Sequence, residues 1–240
     1  MSDSQFPTTV ALFGAAGRMG QEILRQAWRF PHLQIAHGYD EEHVGETLFN
    51  LTVEAPPVSL PHQVRAVIDF SAPDAVMHFA ELSLIREAAY VCGVTALSEA
   101  TRKVLAQYAD HIPVLYSPNM SPGMNVIFRI ARELARALPE YERHIFEIHH
   151  MQKKDAPSGT ALRLADHLKE GSGGETPITA LRMGDVAGEH RVIFGGPGER
   201  IEVTHHADSR AVFAVGALRA TEWLLNQEPG LYSMADVLGL

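Results

Sequence analysis

Apolar positions along the 240-residue chain follow two rhythms. Residues 8–13, 33–39, 66–70, 90–94 and 113–116 are short β-branched or apolar runs with few charges, which predicts strands buried on both faces. Residues 19–30, 73–87 and 101–110 lie between them and read as helices, with Pro73 at a first helical turn. Strands alternating with helices predict parallel pairing through crossovers. Residues 43–61 are poorly periodic and proline-rich, and are read as a loop with a short surface strand. Residues 124–138 form an amphipathic helix with Val126, Ile127, Ile130, Leu134 and Leu138 as its apolar face. Four strand-like runs follow at 141–149, 178–183, 189–194 and 199–206, predicting a small antiparallel or mixed sheet. A helix at 160–169 is inserted among them, with Leu162, Leu164, Ala165 and Leu168 as its stripe. Another helix opens at Asp208-Ser209-Arg210 and runs to about residue 225.

The first strand runs straight into Gly14-Ala15-Ala16-Gly17-Arg18-Met19-Gly20 and then a helix. Strand, glycine turn and helix form the context of a dinucleotide fingerprint. Gly14 permits the turn, Gly17 lets backbone approach a pyrophosphate, and Gly20 allows close helix–strand packing. Asp40 follows the second strand, about 20 residues past the turn, where a carboxylate hydrogen-bonds ribose hydroxyls and repels a 2′-phosphate. Glu41 and Glu42 add negative charge. Later strands end in Asp69-Phe70-Ser71-Ala72-Pro73, Gly93-Val94-Thr95 and Ser117-Pro118-Asn119-Met120, again the ligand-facing edge of a parallel sheet. The fold class expected is α/β. Residues 1–120 and 210–240 make a Rossmann-type dinucleotide-binding domain, and 121–209 make an inserted α+β domain with a mixed sheet.

Composition narrows the partners. A formal net charge of −9 argues against nucleic acid. No apolar run reaches about 18 residues, so no membrane span is expected. The single cysteine, Cys92, excludes a disulfide framework and reads as packing in a reducing, cytoplasmic protein. The opening residues lack the charged and apolar regions of a secretory leader. Residues 171–174 read as a loop tip.

The densest chemistry lies in residues 147–161, Glu-Ile-His-His-Met-Gln-Lys-Lys-Asp-Ala-Pro-Ser-Gly-Thr-Ala. His149 and His150 offer titratable imidazoles, Lys153 and Lys154 ammonium groups, and Asp155 a carboxylate. Ser158 is a candidate N-cap. Gly159 and Thr160 then stand at a helix start, whose free N–H groups attract anions. This set suits a small dianionic substrate that must be protonated. A second pair, His205 and His206, raises a metal site. No spacing here matches a zinc pattern, so no metal is expected.

This stretch, with Gly-x-x-Gly-Arg-Met-Gly near the start, resembles the 4-hydroxy-tetrahydrodipicolinate (dihydrodipicolinate) reductases of lysine and diaminopimelate biosynthesis. Arg182-Met-Gly-Asp, Gly188-Glu-His and Gly198-Glu-Arg-Ile-Glu-Val-Thr-His carry it further, so it spans essentially the whole chain. The resemblance implies an NAD(P)H-dependent oxidoreductase acting on a small dicarboxylate imine. His149 and Lys153 become the catalytic proton donors, and His150, Gly159 and Thr160 the substrate-binding residues. Gly14, Ala15, Ala16, Gly17, Arg18, Met19, Asp40, Gly93, Val94, Thr95, Ser117, Pro118, Asn119 and Met120 become cofactor contacts. The second domain would also pack subunits into a homotetramer. Many members carry an Arg after the acidic residue that accepts NADPH; Glu41 stands there, which leans the expectation to NADH. Two other readings are an amino-acid dehydrogenase, such as an aspartate dehydrogenase, and a non-enzymatic dinucleotide sensor.

Overall fold

The structure, a computed structural model, describes residues 7–240. The opening segment read for a leader lies, up to residue 6, outside the described residues. The elements in order are β1 (Thr8–Phe13), α1 (Arg18–Gln26), a 3-10 turn (Ala27–Arg29), β2 (Leu33–Tyr39), β3 (Thr47–Leu48), β4 (Leu51–Glu54), β5 (Ala66–Asp69), α2 (Val76–Arg86), β6 (Ala89–Cys92), α3 (Glu99–Tyr108) and β7 (Pro113–Tyr116). There follow α4 (Pro122–Ala137), β8 (Glu142–His149), α5 (Gly159–Ser172), β9 (Ile178–Arg182), β10 (Gly188–Gly196), β11 (Glu199–Ala207), α6 (Ala211–Leu224), β12 (Gly230–Tyr232) and α7 (Met234–Leu238). The described chain divides into two compact units, one of residues 7–120 with 213–239, the other essentially 121–212.

The first unit is built on a sheet ordered β12-β7-β6-β5-β1-β2-β4-β3, parallel except for the β3–β4 hairpin. Its central strands are buried on both faces, which is why they read as unbroken apolar runs. Val10, Leu12, Ile68, Val91 and Leu115 face Ile23 of α1 and Leu218 and Leu224 of α6. The alternate residues Phe13, Val67, Tyr90 and Val114 face Val76 and Phe79 of α2 and Leu105 of α3. Phe13 stacks on Phe79 with ring centroids 3.8 Å apart. Each such side chain contributes roughly 1.5–3 kcal/mol by leaving water. Cys92 is buried and free, and burial pushes its thiol up, as fits packing rather than reactivity.

Two local expectations are corrected here. The short strand expected within residues 43–61 is present as β4, but it pairs in parallel with β2 and buries Val53, so it extends the sheet and is not confined to the surface. The prolines at 56, 57 and 61 fall after the strand and hid the period. Helix α2 begins at Val76, not at Pro73, because residues 72–75 close a turn through the Ala75 N–H donating to the Ala72 carbonyl.

The second unit is a four-stranded sheet ordered β11-β10-β8-β9, with β8 parallel to β9 and the other pairs antiparallel. Its strands alternate strictly: Ile145, Val192 and Phe194 point into a core with α4 and α5. Helix α4 buries Met124, Phe128, Ala131 and Ala135, a rotation from the predicted face, and Ile130 is exposed. Small Ala131 and Ala135 let α4 and α5 approach; larger side chains on that line would hold them apart. Leu162 likewise points outward, while Ala161, Leu164 and Leu168 are buried. Among the described residues no helix is long and apolar enough to cross a membrane.

Candidate functional site

The first unit presents a cavity of about 660 Å³ at the carboxyl edge of its sheet. It is lined by Gly14 and Gly17 after β1, Asp40, Glu41 and Glu42 after β2, and Phe70, Ser71, Ala72, Asp74 and His78 after β5. Glycine is required in the turn by packing. Gly14 has φ +73°, and a Cβ there would sit 2.6 Å from the Phe70 carbonyl oxygen. At Gly20 a Cβ would meet the Gly14 oxygen at 2.1 Å, so α1 lies directly on the turn. Gly17 is the extended N-cap of α1 and carries no side chain to shield the helix start. The Asp40 carboxylate accepts from the Ala16 N–H and the Glu42 N–H, each at 3.2 Å, and so ties the end of β2 to the glycine turn. A glycine cradle, an exposed helix start and a fixed carboxylate fit a dinucleotide. The lining contains four carboxylates and no Lys or Arg.

Of the other expected cofactor contacts, Ala15, Ala16, Arg18 and Met19 continue the β1–α1 turn. Gly93, Val94 and Thr95 follow β6, and Ser117, Pro118, Asn119 and Met120 follow β7, on the same sheet edge. None of these eleven lines the cavity. The β5–α2 segment, with Phe70, Ser71, Ala72, Asp74 and His78, does line it; its strand end is expected on the ligand-facing edge, but none of these residues is among the expected contacts.

In the second unit, β8 ends in a buried ionic network. Glu147 and His149 are two apart on a strand, so both point to the α4–α5 side. Glu147 is fully buried. Its Oε1 accepts from the Ser158 N–H at 3.1 Å and from Arg182 Nη1 at 3.1 Å. Its Oε2 lies 2.6 Å from His149 Nδ1 in an ion-pair contact, and neither atom makes a hydrogen bond of ordinary geometry. Burial alone would raise the Glu147 carboxyl, but the contacts from His149, Ser158 and Arg182 outweigh it and bring it to about 2. The group is therefore a carboxylate, and it faces Nδ1 of the imidazole. His190 on β10 meets His149 edge-on, ring centroids 5.1 Å apart. Its Nε2 is 3.3 Å from Ser158 Oγ, which also caps α5 by accepting from the Ala161 N–H. Burial and then the neighbouring His149 push His190 down to about 3, so it stays neutral.

Glu147, His149 and His190 could be read as a metal triad. Two ligands of one tetrahedral cation stand roughly 3.3 Å apart at ordinary bond lengths, and the 2.6 Å between Nδ1 and Oε2 is a proton-sharing distance. Arg182 already supplies the positive charge at that carboxylate.

The segment after β8 is pinned over this network. Arg182 Nε donates to the Lys153 carbonyl at 3.2 Å, and Nη2 donates to the Asp155 carbonyl. Lys153 is half-buried and its Nζ is 2.8 Å from Asp155 Oδ1, whereas Lys154 is exposed. Burial raises the Asp155 carboxyl, but Lys153 and nearby backbone N–H groups, that of Gly159 among them, together outweigh it and hold the group below its ordinary value. His150 is half-buried, and its carbonyl accepts from the Lys153 N–H at 3.1 Å. Gly159 is exposed and Thr160 half-buried at the α5 start. The fold thus brings His149, Ser158, the Lys153 loop and the start of α5 together. His205 stands opposite His190 on β11, its Nε2 3.2 Å from Ser121 Oγ, and His206 pairs with Glu189. Glu147, Arg182 and His190 were missed as site residues. Strand alternation could have flagged Glu147, and Arg182 and His190 stand in the Arg182-Met-Gly-Asp and Gly188-Glu-His motifs, but no local signal joins Arg182 to Glu147, 35 residues away.

Two family descriptions match the chain end to end: "Dihydrodipicolinate reductase, N-terminus" over residues 8–120 and "Dihydrodipicolinate reductase, C-terminus" over residues 123–238. The chain belongs to the dihydrodipicolinate reductase family. The family is pyridine-nucleotide-dependent. The chain is similar to the 4-hydroxy-tetrahydrodipicolinate reductase of Anaeromyxobacter dehalogenans, 41% identical with 97% of this chain and 98% of that one covered. It is 39% identical to that of Aquifex aeolicus, over 96% of this chain and 98% of the relative. In fold it is similar to a dipicolinate-bound dihydrodipicolinate reductase from Paenisporosarcina sp. TG-14, with TM-score 0.74, 21% identity and 96% and 98% coverage. An aspartate dehydrogenase from Thermotoga maritima shares the fold less closely, with TM-score 0.54, 14% identity and 92% and 98% coverage. The dihydrodipicolinate reductase motifs at residues 14–20 and 149–161 are thus the glycine cradle of one unit and the pinned loop of the other.

Proposed function

We propose that this member of the family is a 4-hydroxy-tetrahydrodipicolinate reductase of lysine and diaminopimelate biosynthesis, working with NADH. The observation that carries the reading is the buried His149–Glu147 pair beneath a loop that brings Lys153 to the start of α5. A bound nicotinamide supplies a hydride, and the protein supplies the proton and holds the substrate. His149 is the acid, with Lys153 the second proton donor. His150, Gly159 and Thr160 bind the substrate carboxylates. The Asp155 carboxylate, which pairs with Lys153 and accepts from the Gly159 N–H, supports that role, since both groups already attract a carboxylate. In this reading the first unit is the dinucleotide-binding domain, and the second binds substrate and packs subunits.

NADH is favoured over NADPH because Asp40, Glu41, Glu42 and Asp74 line the cavity without a cation to meet a 2′-phosphate. Like charges about 4 Å apart repel by about 1–4 kcal/mol between water and a half-buried surface. NADH should therefore lead NADPH in kcat/KM by about 5- to 10³-fold, measured with freshly made dihydrodipicolinate synthase product. Glu41→Arg should narrow the ratio. A wild-type preference for NADPH would refute the assignment.

A homotetramer is proposed on the sheet face turned away from α4 and α5. It carries Phe146, Ile148, Leu181 and Ile193, bordered by the Arg191–Glu202 and His206–Glu189 ion pairs.

A further inference from the structure

His149 and Lys153 reach the site from different segments, a strand end and a loop, yet both lead to one pair of side chains. We infer that Glu147 and Arg182 are positioning residues that act as one device: Glu147 sets the tautomer and ring angle of His149, and Arg182 locks that carboxylate to the loop bearing Lys153. The inference rests on the reading of His149 as the proton donor and extends it to two residues that do not touch substrate.

Glu147 has four lone-pair directions and no contact with water. One oxygen is taken by Ser158 N–H and Arg182, and the other faces only His149 Nδ1. The imidazole is thereby held with Nδ1–H toward the carboxylate. Nε2 is left toward Gly188, where a Cβ would come within 3.2 Å of it. The absence of a side chain at Gly188 leaves that nitrogen open, and Nε2–H is the proton the reaction takes. Neutral His190 braces the ring from β10 without competing for the carboxylate, its Nε2 being 4.0 Å from Glu147 Oε2. The Arg182 guanidinium spends its donors on Glu147, on the backbone carbonyls of Lys153 and Asp155, and on its neighbour Leu181. A planar fork spanning a carboxylate and two carbonyls cannot be copied by lysine. The charged and titratable groups around His149 are thus Glu147 on its own strand, Arg182 from β9, His190 from β10 with His205 behind it, and His150, Lys153 and Asp155 from the loop.

The test has an arm that needs no variant of the network. In wild-type protein labelled with ¹⁵N-histidine, and with the His149 signals assigned by their loss in His149→Gln, neutral His149 should show a protonated Nδ1 and a bare Nε2. The opposite tautomer overturns the inference whether or not the enzyme turns over. The second arm is kinetic. Glu147→Gln keeps the shape but removes the charge that holds the imidazolium. It should lower kcat by at least about tenfold. It should also move the high-pH loss of kcat/KM to lower pH by about one unit or more, with NADH affinity unchanged. Glu147→Asp should restore part of both. Arg182→Lys should raise the KM for the dicarboxylate and lower kcat while leaving the pH profile in place. A purely structural role would lower the folded fraction in a melt without moving the pH limb, and that result overturns the inference. If His149→Gln itself keeps wild-type turnover, the proton-donor reading fails and the inference with it. If His149→Gln is inactive and Glu147→Gln matches wild type, only the inference fails.

Discussion

At residue 149 the chain turns an ordinary imidazole into an oriented one by burying its partner two positions earlier on the same strand. The histidine could be read from its motif, and strand alternation puts Glu147 on the same face, but not the partners that keep it buried. A charged residue inside an alternating strand ordinarily faces water, and only the arrival of Arg182 and the Ser158 N–H makes its burial tolerable. The proposed roles of His149 and Lys153 lead to an expected outcome. A positioned acid is worth roughly 10²–10⁴-fold in rate. His149→Gln and Lys153→Ala should each lower kcat by about that factor, and Lys153→Ala should also raise the KM for the dianion. NADH affinity, read by fluorescence titration without substrate, should hardly change. A variant with near-wild-type kcat would remove that residue from the proton-transfer step. A collapse of NADH binding would instead assign the pair to the cofactor site.

Among the elements, the β1 turn and α1 were legible because glycine is the one residue whose absence of a side chain can be read as geometry. The structure supplies the reason: Gly14 and Gly20 each face backbone that a Cβ would strike. Gly20→Ala should lower unfolding free energy by about 1–3 kcal/mol, or more if α1 cannot shift, and weaken NADH binding. Denaturant unfolding with and without NADH checks both, and an unchanged midpoint would contradict the packing. Helix α4 was legible as a helix but not in its facing. Its large residues Ile127, Ile130 and Leu134 suggested one stripe, while the close approach of α5 selected the alanine line at Ala131 and Ala135. Strand β4 was legible only as a short strand of unplaced bounds, because four residues beside prolines carry little period and its pairing with β2 is long-range. The end of β5 was legible as part of the ligand-facing edge, whereas Asp74 and His78 acquire meaning only beside the β1 turn.

For the molecule as a whole, the same network sets a limit on acid stability. His190, held near 3 when folded but near 6.5 when unfolded, favours the unfolded chain as pH falls below about 6.5. Glu147, held near 2 when folded, adds stability that is present above about 4.5 and is lost as pH falls toward 2. Both signs agree, so stability should fall by roughly 2–4 kcal/mol or more between neutral pH and about pH 4. Glutamine at residue 190 should flatten the upper part of that decline in a melt series, and an undiminished slope would refute the assignment. In solution the mass should be four times the 26.4 kDa chain. Lysines in place of Leu181 and Ile193 should reduce it without unfolding the second unit, as sedimentation and circular dichroism would show. A wild-type monomer would refute the proposed interface. The central claim, that this chain reduces the cyclic dicarboxylate at the expense of NADH, is tested most directly by following NADH absorbance when fresh dihydrodipicolinate synthase product is added. The account predicts oxidation of one NADH for each product molecule and none before the addition; NADH that binds and is never consumed would contradict it.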